Sequence, residues 1–390
     1  MYANKRNFNI NSGGLLTAIS PKFFYQYLEK NGIEFFTGIP DSLLKEFCLC
    51  LNEHVPKDNH IIAANEGNAI ALASGYHLAK EKIPLVYMQN SGIGNAVNPL
   101  LSLCDPQVYS IPLILLIGWR GQPGVSDEPQ HLKQGEIQLD LLKTMDIPYV
   151  IISKNDQTLI NKINQIVLKA KNENRPCAII VEKNTFEKYK PQKFTLDQDL
   201  YSREESLKIV LNMLPKNSVL ISTTGKTSRE IFEIREQNSE NHSKDFLTVG
   251  SMGHCSSIAL GIAINKPQKK IFCIDGDGSL IMHMGSLSTI GHLKPKNYYH
   301  ILINNFVHES VGGQQTSARF INMVELAKSN GYRDCNSTKK NIRNKFYNLI
   351  NSEGPSFLEI IVNPGSRANL GRPTITPLEN KQKFIENLKN

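Results

Sequence analysis

The sequence predicts an α/β protein of two doubly wound, mostly parallel-sheet domains with no middle domain between them. Three observations carry this. Short apolar runs rich in strand formers alternate with longer stretches at helical spacing along the whole chain. The alternation occurs twice, on either side of a polar segment, Lys183 to Ser202, that contains Pro191. A length of 390 residues holds two cores of ordinary size, with none left for a third domain.

In the first half, residues 1–190, spaced apolar positions predict helices at 21–30, 41–51 and 66–79. Short β-branched and aromatic runs predict strands at 33–37, 59–63, 84–88 and 112–117, and a strand at 177–182 closes the unit. A linker at 191–202 leads to the second half, residues 203–390. Helices there fall at 203–213, 227–236 and 254–264. Strands fall at 218–221, 246–249, 270–274, 299–303 and 356–362, with an amphipathic helix at 280–293.

Gly276-Asp277-Gly278-Ser279 stands directly after one of these strands, and Asn304-Asn305 ends the next. Asp277 and Asn305 therefore sit just past the carboxyl ends of adjacent strands, where open α/β sheets place ligands. A carboxylate, an amide oxygen and a nearby backbone carbonyl make a hard-oxygen site suited to Mg²⁺ or Ca²⁺. Gly278 lets the backbone come close, and Ser279 opens a helix whose N–H groups face anions. Thr223-Thr224-Gly225-Lys226-Thr227 also follows a strand and opens a helix, a second anion cradle. Glu66 begins a small-residue helix after a strand; taken alone, it complements the helix dipole. Asp41 begins another, either as an N-cap or as an acid facing a substrate.

The net charge of +8 is spread along the chain. No aromatic-interleaved basic stripe points to nucleic acid. No apolar run approaches the ~20 residues that span a bilayer, and Met1 to Asn11 lacks the apolar core of a secretory signal. The seven cysteines, Cys48, Cys50, Cys104, Cys177, Cys255, Cys273 and Cys335, are scattered and show no zinc spacing. They read as reduced, buried thiols of a cytoplasmic protein. Cys48 and Cys50 fall on different faces of one helix.

The Gly-Asp-Gly-Ser…Asn-Asn arrangement, with the segment Ala63 to Tyr76 around Glu66, resembles the signature of thiamine-diphosphate enzymes. The resemblance implies thiamine diphosphate and Mg²⁺ as cofactors, with the first domain binding the pyrimidine and the second the diphosphate. Glu66 would then hydrogen-bond N1′ of the aminopyrimidine. Val249-Gly250-Ser251-Met252-Gly253-His254 is similar to the family's segment between the two cofactor ends. There Met252 would wedge under the thiazolium and the Gly250 carbonyl would accept from the 4′-amino group; the alternative is a core methionine at a turn. Thr224, Gly225, Lys226 and Thr227 would contact the diphosphate, although Lys226 is equally placed to face the substrate. Asp277, Asn305 and the carbonyl of Val307 would hold Mg²⁺, beside Gly278 and Ser279.

Five further segments sharpen the resemblance: Thr37 to Leu44, Gln89 to Asn95, Gly118 to Gly124, Asp127 to His131, and Val311 to Thr316. Together they resemble the phosphonopyruvate decarboxylase family, with the sulfopyruvate decarboxylases as near relatives. The implied reaction converts 3-phosphonopyruvate to phosphonoacetaldehyde and CO₂ in phosphonate biosynthesis. Pyruvate decarboxylases carry two adjacent histidines in the first domain, and this chain has none. A phosphonate dianion calls for charge-assisted donors, for which Ser91, Asn95, Arg120, His131, Lys226, His308 and Gln314 are candidates. Arg120 has Asp127 and Glu128 as alternative partners. The resemblance also implies a homo-oligomer, at least a dimer, in which Glu66 of one subunit meets Asp277 of another. The competing readings are sulfopyruvate decarboxylation, acetolactate-type carboligation, and a silent cofactor-binding scaffold, which would have no use for the Glu66 carboxylate.

Overall fold

The computed structural model describes residues 18–190 and 194–389. The segment Met1 to Asn11, expected not to be a secretory signal, and Pro191 of the linker lie outside the described residues. The first sheet contains β1 (Phe36–Gly38), β2 (His60–Ile62), β3 (Leu85–Gln89), β4 (Ile114–Gly118), β5 (Tyr149–Ile152) and β6 (Cys177–Val181). These strands are parallel, in the order β2-β1-β3-β4-β6-β5. The second half contains β7 (Ser218–Ser222), β8 (Asp245–Leu247), β9 (Lys270–Gly276) and β10 (Tyr298–Asn304). A short antiparallel ribbon follows, β11 (Val307–His308) with β12 (Gln314–Gln315), and then β13 (Asp334–Thr338) and β14 (Ser356–Ile361). The second sheet is also parallel, in the order β13-β14-β10-β9-β7-β8.

Strand periodicity explains why helices cover both faces. Leu85, Tyr87, Ile114 and Leu116 enter one core of the first sheet, while Val86, Met88, Leu115 and Ile117 enter the opposite core. In the second sheet Ile271 and Cys273 point one way, Phe272 and Ile274 the other. Alternation with both faces apolar is what a helix-covered parallel sheet requires. Each fully buried Leu or Ile contributes about 1.5–3 kcal/mol relative to exposure.

The sequence reading finds five strands of each sheet and misses one, and both missed strands, β5 and β13, lie at a sheet edge. Only one residue of each is buried, so neither shows a continuous apolar run. The helices Pro129–Thr144 and Leu159–Glu173 beside β5 are also additions to the sequence reading. The helix expected at 280–293 is two helices, Asp277–Met282 and Ser286–Leu293, broken at His283–Gly285. The strand expected at 246–249 ends at Leu247, where the backbone turns toward Gly250, with φ +69°.

The segment after Lys183 packs on the first domain as far as Tyr189. Phe186 sits against Phe24 and Phe47, and the Tyr189 N–H donates to Glu46. Further on, Ser202 and Glu205 close a capping box on the helix Arg203–Asn212.

The carboxyl ends of the two sheets face each other within one chain. Asn65 Nδ2 donates to the Met282 carbonyl at 3.2 Å. Arg372 pairs with Glu128 at 2.6 Å. A Cβ on Gly250 would lie 3.3 Å from Gln130 Cβ, and one on Gly312 would lie 3.0 Å from Lys45 Cγ. The family resemblance implied that halves of two different subunits meet; here the two halves of a single chain already do. No helix among the described residues is long and apolar enough to cross a membrane.

Candidate active site

Glu66 is the first residue of the helix Glu66–Lys80, whose N-cap Asn65 accepts from the Asn68 N–H. The cap leaves the Glu66 side chain at the mouth of the sheet, where it is 5 % exposed. Its Oε2 accepts from Asn95 Nδ2 at 2.7 Å. The other side of the carboxylate rests on Gly92, where a Cβ would lie 2.5 Å from Glu66 Cγ. Asn95, expected to face the substrate, is therefore committed to positioning Glu66. Ser91 accepts from Gln89 Nε2 at 2.5 Å.

Asp41 lies just beyond β1 and is buried. The sequence placed it at the start of a helix, but the helix begins at Lys45 after a turn. Asp41 Oδ2 accepts from the Leu43 N–H at 2.8 Å, a local turn bond in place of an N-cap. Its Oδ1 has no partner among the described residues. Burial raises the carboxyl above its ordinary range, against the opposing pull of the Leu43 N–H and the Arg120 charge. Arg120 itself takes the alternative partner, closing a two-pronged ion pair on Asp127, and its Nη1 donates to Ser42 at 2.7 Å. Its fork is thus not free for an anion. His131 lies nearby with Nδ1 unpartnered among the described residues, and burial lowers its imidazole to about 4, so it is neutral at pH 7.

On the second sheet, β9 and β10 are adjacent, with Gly276 paired to Ile303, which brings Asp277 and Asn305 side by side. Asp277 is 3 % exposed and accepts from Thr316 Oγ1 at 2.5 Å. Burial raises its carboxyl to about 6, against hydrogen bonds from Thr316 and from backbone N–H groups, Asn305's among them. Asn305 Oδ1 accepts from the Val307 N–H at 3.2 Å. A Cβ on Gly278 would lie 2.9 Å from the His308 ring and 3.4 Å from Met252 Cε, so Met252 does reach the turn. Burial holds His308 neutral, at about 4. Ser279 Oγ joins the loops by accepting from Thr223 Oγ1 at 2.9 Å and from the Gly253 N–H at 3.1 Å. Thr224 Oγ1 accepts from the Gly250 N–H at 3.0 Å, and Gly225, with φ +88°, turns the chain into the helix that Lys226 and Thr227 open.

Lys226 is engaged elsewhere: its Nζ pairs with Glu309 at 2.7 Å. Glu309 also pairs with Arg203, which grips Glu230, and accepts from Asn305 Nδ2 at 2.9 Å. Burial opposes the Glu309 charge, yet Arg203 and Lys226 hold the carboxyl down at about 2. Sequence reasoning missed Glu309, Thr316, Gln130 and Lys45. The first two lie within or beside the quoted Val311–Thr316 segment, but nothing in sequence aims them at Asn305 and Asp277. Lys45 opens the helix that follows Asp41 and packs on Gly312; among the described residues its one ion-pair contact is a loose 3.5 Å one to Glu46. Gln314 meets the same glycine, fully buried, with both amide atoms unpartnered among the described residues.

The donor set fits a hard dication. Asp277 makes no ion pair among the described residues, so its buried charge lacks a cation, and the Asn305 backbone N–H bonds to it, which brings the Asn305 residue to the same turn. Gly278 keeps clear a space that a side chain would fill.

Residues 21–144 match the family described as thiamine pyrophosphate enzyme, N-terminal TPP binding domain. Residues 223–360 match its C-terminal TPP binding domain. A phosphonopyruvate decarboxylase of Streptomyces viridochromogenes is 30% identical over 90% of this chain and 91% of its own. One from Streptomyces hygroscopicus is 29% identical over 91% of this chain and 90% of its own. A sulfopyruvate decarboxylase of Methanosarcina acetivorans is 26% identical over 93% of this chain and 96% of its own. Two thiamine-pyrophosphate domains, and likeness along nearly the full length of such relatives, lead to one conclusion: the chain belongs to the thiamine-pyrophosphate-dependent decarboxylases of 2-oxo acids, the carboxy-lyase family of the phosphonopyruvate and sulfopyruvate decarboxylases.

Proposed function

We propose that the chain decarboxylates 3-phosphonopyruvate to phosphonoacetaldehyde and CO₂, with Mg²⁺ beside thiamine diphosphate. The observation that carries this reading is a pair of buried carboxylates, Glu66 and Asp277, at the facing ends of the two sheets. Bound thiamine diphosphate supplies the electron sink that takes up the electron pair released as CO₂ departs. Glu66, steadied by Asn95 and Gly92, holds a proton at pyrimidine N1′. Asp277, Asn305 Oδ1 and the Val307 carbonyl hold Mg²⁺. Met252 and the Gly250 carbonyl support the middle of the cofactor, and Thr224, Gly225, Thr227, Gly278 and Ser279 cradle its diphosphate.

At the substrate end, the Lys45 ammonium and the Gln314 amide receive the phosphonate. Asp41, which burial biases toward its protonated form, supplies an acid. Lys45 is suited to this role because Arg120, Lys226 and Arg203 are each engaged in closer ion pairs. The assembly we read is a homo-oligomer of at least two copies, each completing its own site.

Fully dialysed protein is expected to be inactive and to recover with thiamine diphosphate and Mg²⁺. Its kcat/KM should be higher for 3-phosphonopyruvate than for sulfopyruvate or pyruvate. A preference for pyruvate would overturn the assignment. A preference for sulfopyruvate would select the second reading, which the Methanosarcina relative supports.

A further inference from the structure

We propose that Cys255, Cys273 and Asp275, with His300 beside Asp275, form a transition-metal site, suited to zinc, beneath the Gly276–Gly278 turn. The four come from three elements, which is why no spacing in the sequence displays them. Cys255 opens the helix Cys255–Asn265, Cys273 and Asp275 lie two residues apart on β9, and His300 on β10 is the register partner of Cys273. All four are 0–1 % exposed.

Two of the separations match those between ligands of one zinc ion. Zinc–sulfur bonds of about 2.3 Å put two thiolates about 3.8 Å apart. Cys255 Sγ and Cys273 Sγ are 3.8 Å apart. Nitrogen and oxygen ligands at about 2.0–2.2 Å stand about 3.3–3.5 Å from each other. His300 Nε2 and Asp275 Oδ2 are 3.5 Å apart, longer than a hydrogen bond. Ligand atoms of Cys255, Cys273 and Asp275 all fall within 4.8 Å of one another.

The surroundings orient these groups as outer partners of a metal site do. His300 Nδ1 is hydrogen-bonded to Tyr332 OH at 3.2 Å, and Asp275 Oδ1 accepts from the Gly276 N–H at 2.8 Å. Each residue is thus held by one atom while the other, Nε2 or Oδ2, is fully buried, makes no hydrogen bond among the described residues, and faces the other's at ion-pair distance. Binding displaces the protons held among the two thiols and the imidazole and leaves the imidazole neutral. Two thiolates and one carboxylate around the dication carry one net negative charge. Soft thiolates select zinc over the magnesium of the neighbouring oxygen site, and so enclosed a site loads as the chain folds. None of the four residues acts in the proposed reaction, so the two readings stand or fall separately.

The test is the metal content of full-length protein made in zinc-supplemented medium and washed with EDTA. Mass spectrometry should find about one zinc per chain, the number for a single structural site. A mercurial should release it into a zinc dye. Cys273→Ser should lose the zinc, whereas Asp277→Ala should keep it. Should Cys273→Ser fail to fold, wild-type protein grown with cobalt should show thiolate-to-cobalt charge transfer and the visible bands of tetrahedral cobalt. Background zinc in wild-type protein, together with no cobalt spectrum, would overturn the proposal.

Discussion

Gly92→Ala tests the positioning of Glu66 with a single methyl group. Gly92 has φ −72° and ψ −15°, so alanine fits its backbone without strain. The side chain is the difficulty. Its methyl would lie 2.5 Å from Glu66 Cγ and 2.6 Å from Cδ, where ordinary contact begins at 3.4 Å. Glu66 must retreat by about 1 Å, a displacement that costs about 10²-fold in rate when it misplaces a reacting group. Stability should change little, because a flexible side chain yields and the unfolded chain loses about 0.4–1 kcal/mol of entropy advantage. The assay is kcat with saturating cofactor and Mg²⁺, beside thermal melts and Mg²⁺ affinity, which should both stay near wild type. Glu66→Gln should lose about 10²–10⁴-fold. The double variant should be no slower than Glu66→Gln, since both act through one carboxylate. A folded Gly92→Ala protein with wild-type kcat would refute the placement of Glu66.

Asp277 titrates at about 6 when folded and 3.8 ordinarily. The metal-free fold therefore takes up a proton as pH falls between those values and gains stability, roughly 3 kcal/mol at most. Mg²⁺ competes with that proton, so its affinity should drop by up to about tenfold per pH unit below about 6. Mg²⁺-dependent stabilisation measured by calorimetry should accordingly shrink at pH 5; an undiminished effect would exclude Asp277 as a ligand. Lys45→Met should raise KM for 3-phosphonopyruvate by about tenfold or more with a smaller change in kcat, as loss of a charge-assisted contact predicts. An unchanged KM would remove Lys45 from the substrate site. Mixing inactive Glu66→Gln and Asp277→Ala proteins through a dissociation–reassociation cycle should restore no activity, because one chain supplies both carboxylates. Recovery would show that two subunits share each site.

Much of the fold was legible because central strands of a parallel sheet are apolar on both faces, and β3, β4, β9 and β10 read that way. The edge strands β5 and β13 were not, since one open side removes the signal. Of the candidate site, Asp277 and Asn305 were legible because each directly follows a recognisable strand, and Glu66 because it opens a helix just past one. Asn95, Arg120 and Lys226 were named as ligand contacts, but their partners are Glu66, Asp127 and Glu309. A side chain's partner depends on distant segments, so spacing does not disclose it.

The sequence by itself determined the two-domain α/β architecture, the cofactor family and the carboxylates at the strand ends, because these are local patterns of apolar period and turn residue. Only the tertiary structure decided which cations are already paired, that Asn95 and Gly92 hold Glu66, that the two sheets face each other in one chain, and that two cysteines, an aspartate and a histidine converge under the turn. Those outcomes depend on which groups share a buried volume. Packing decides that, and residue order does not.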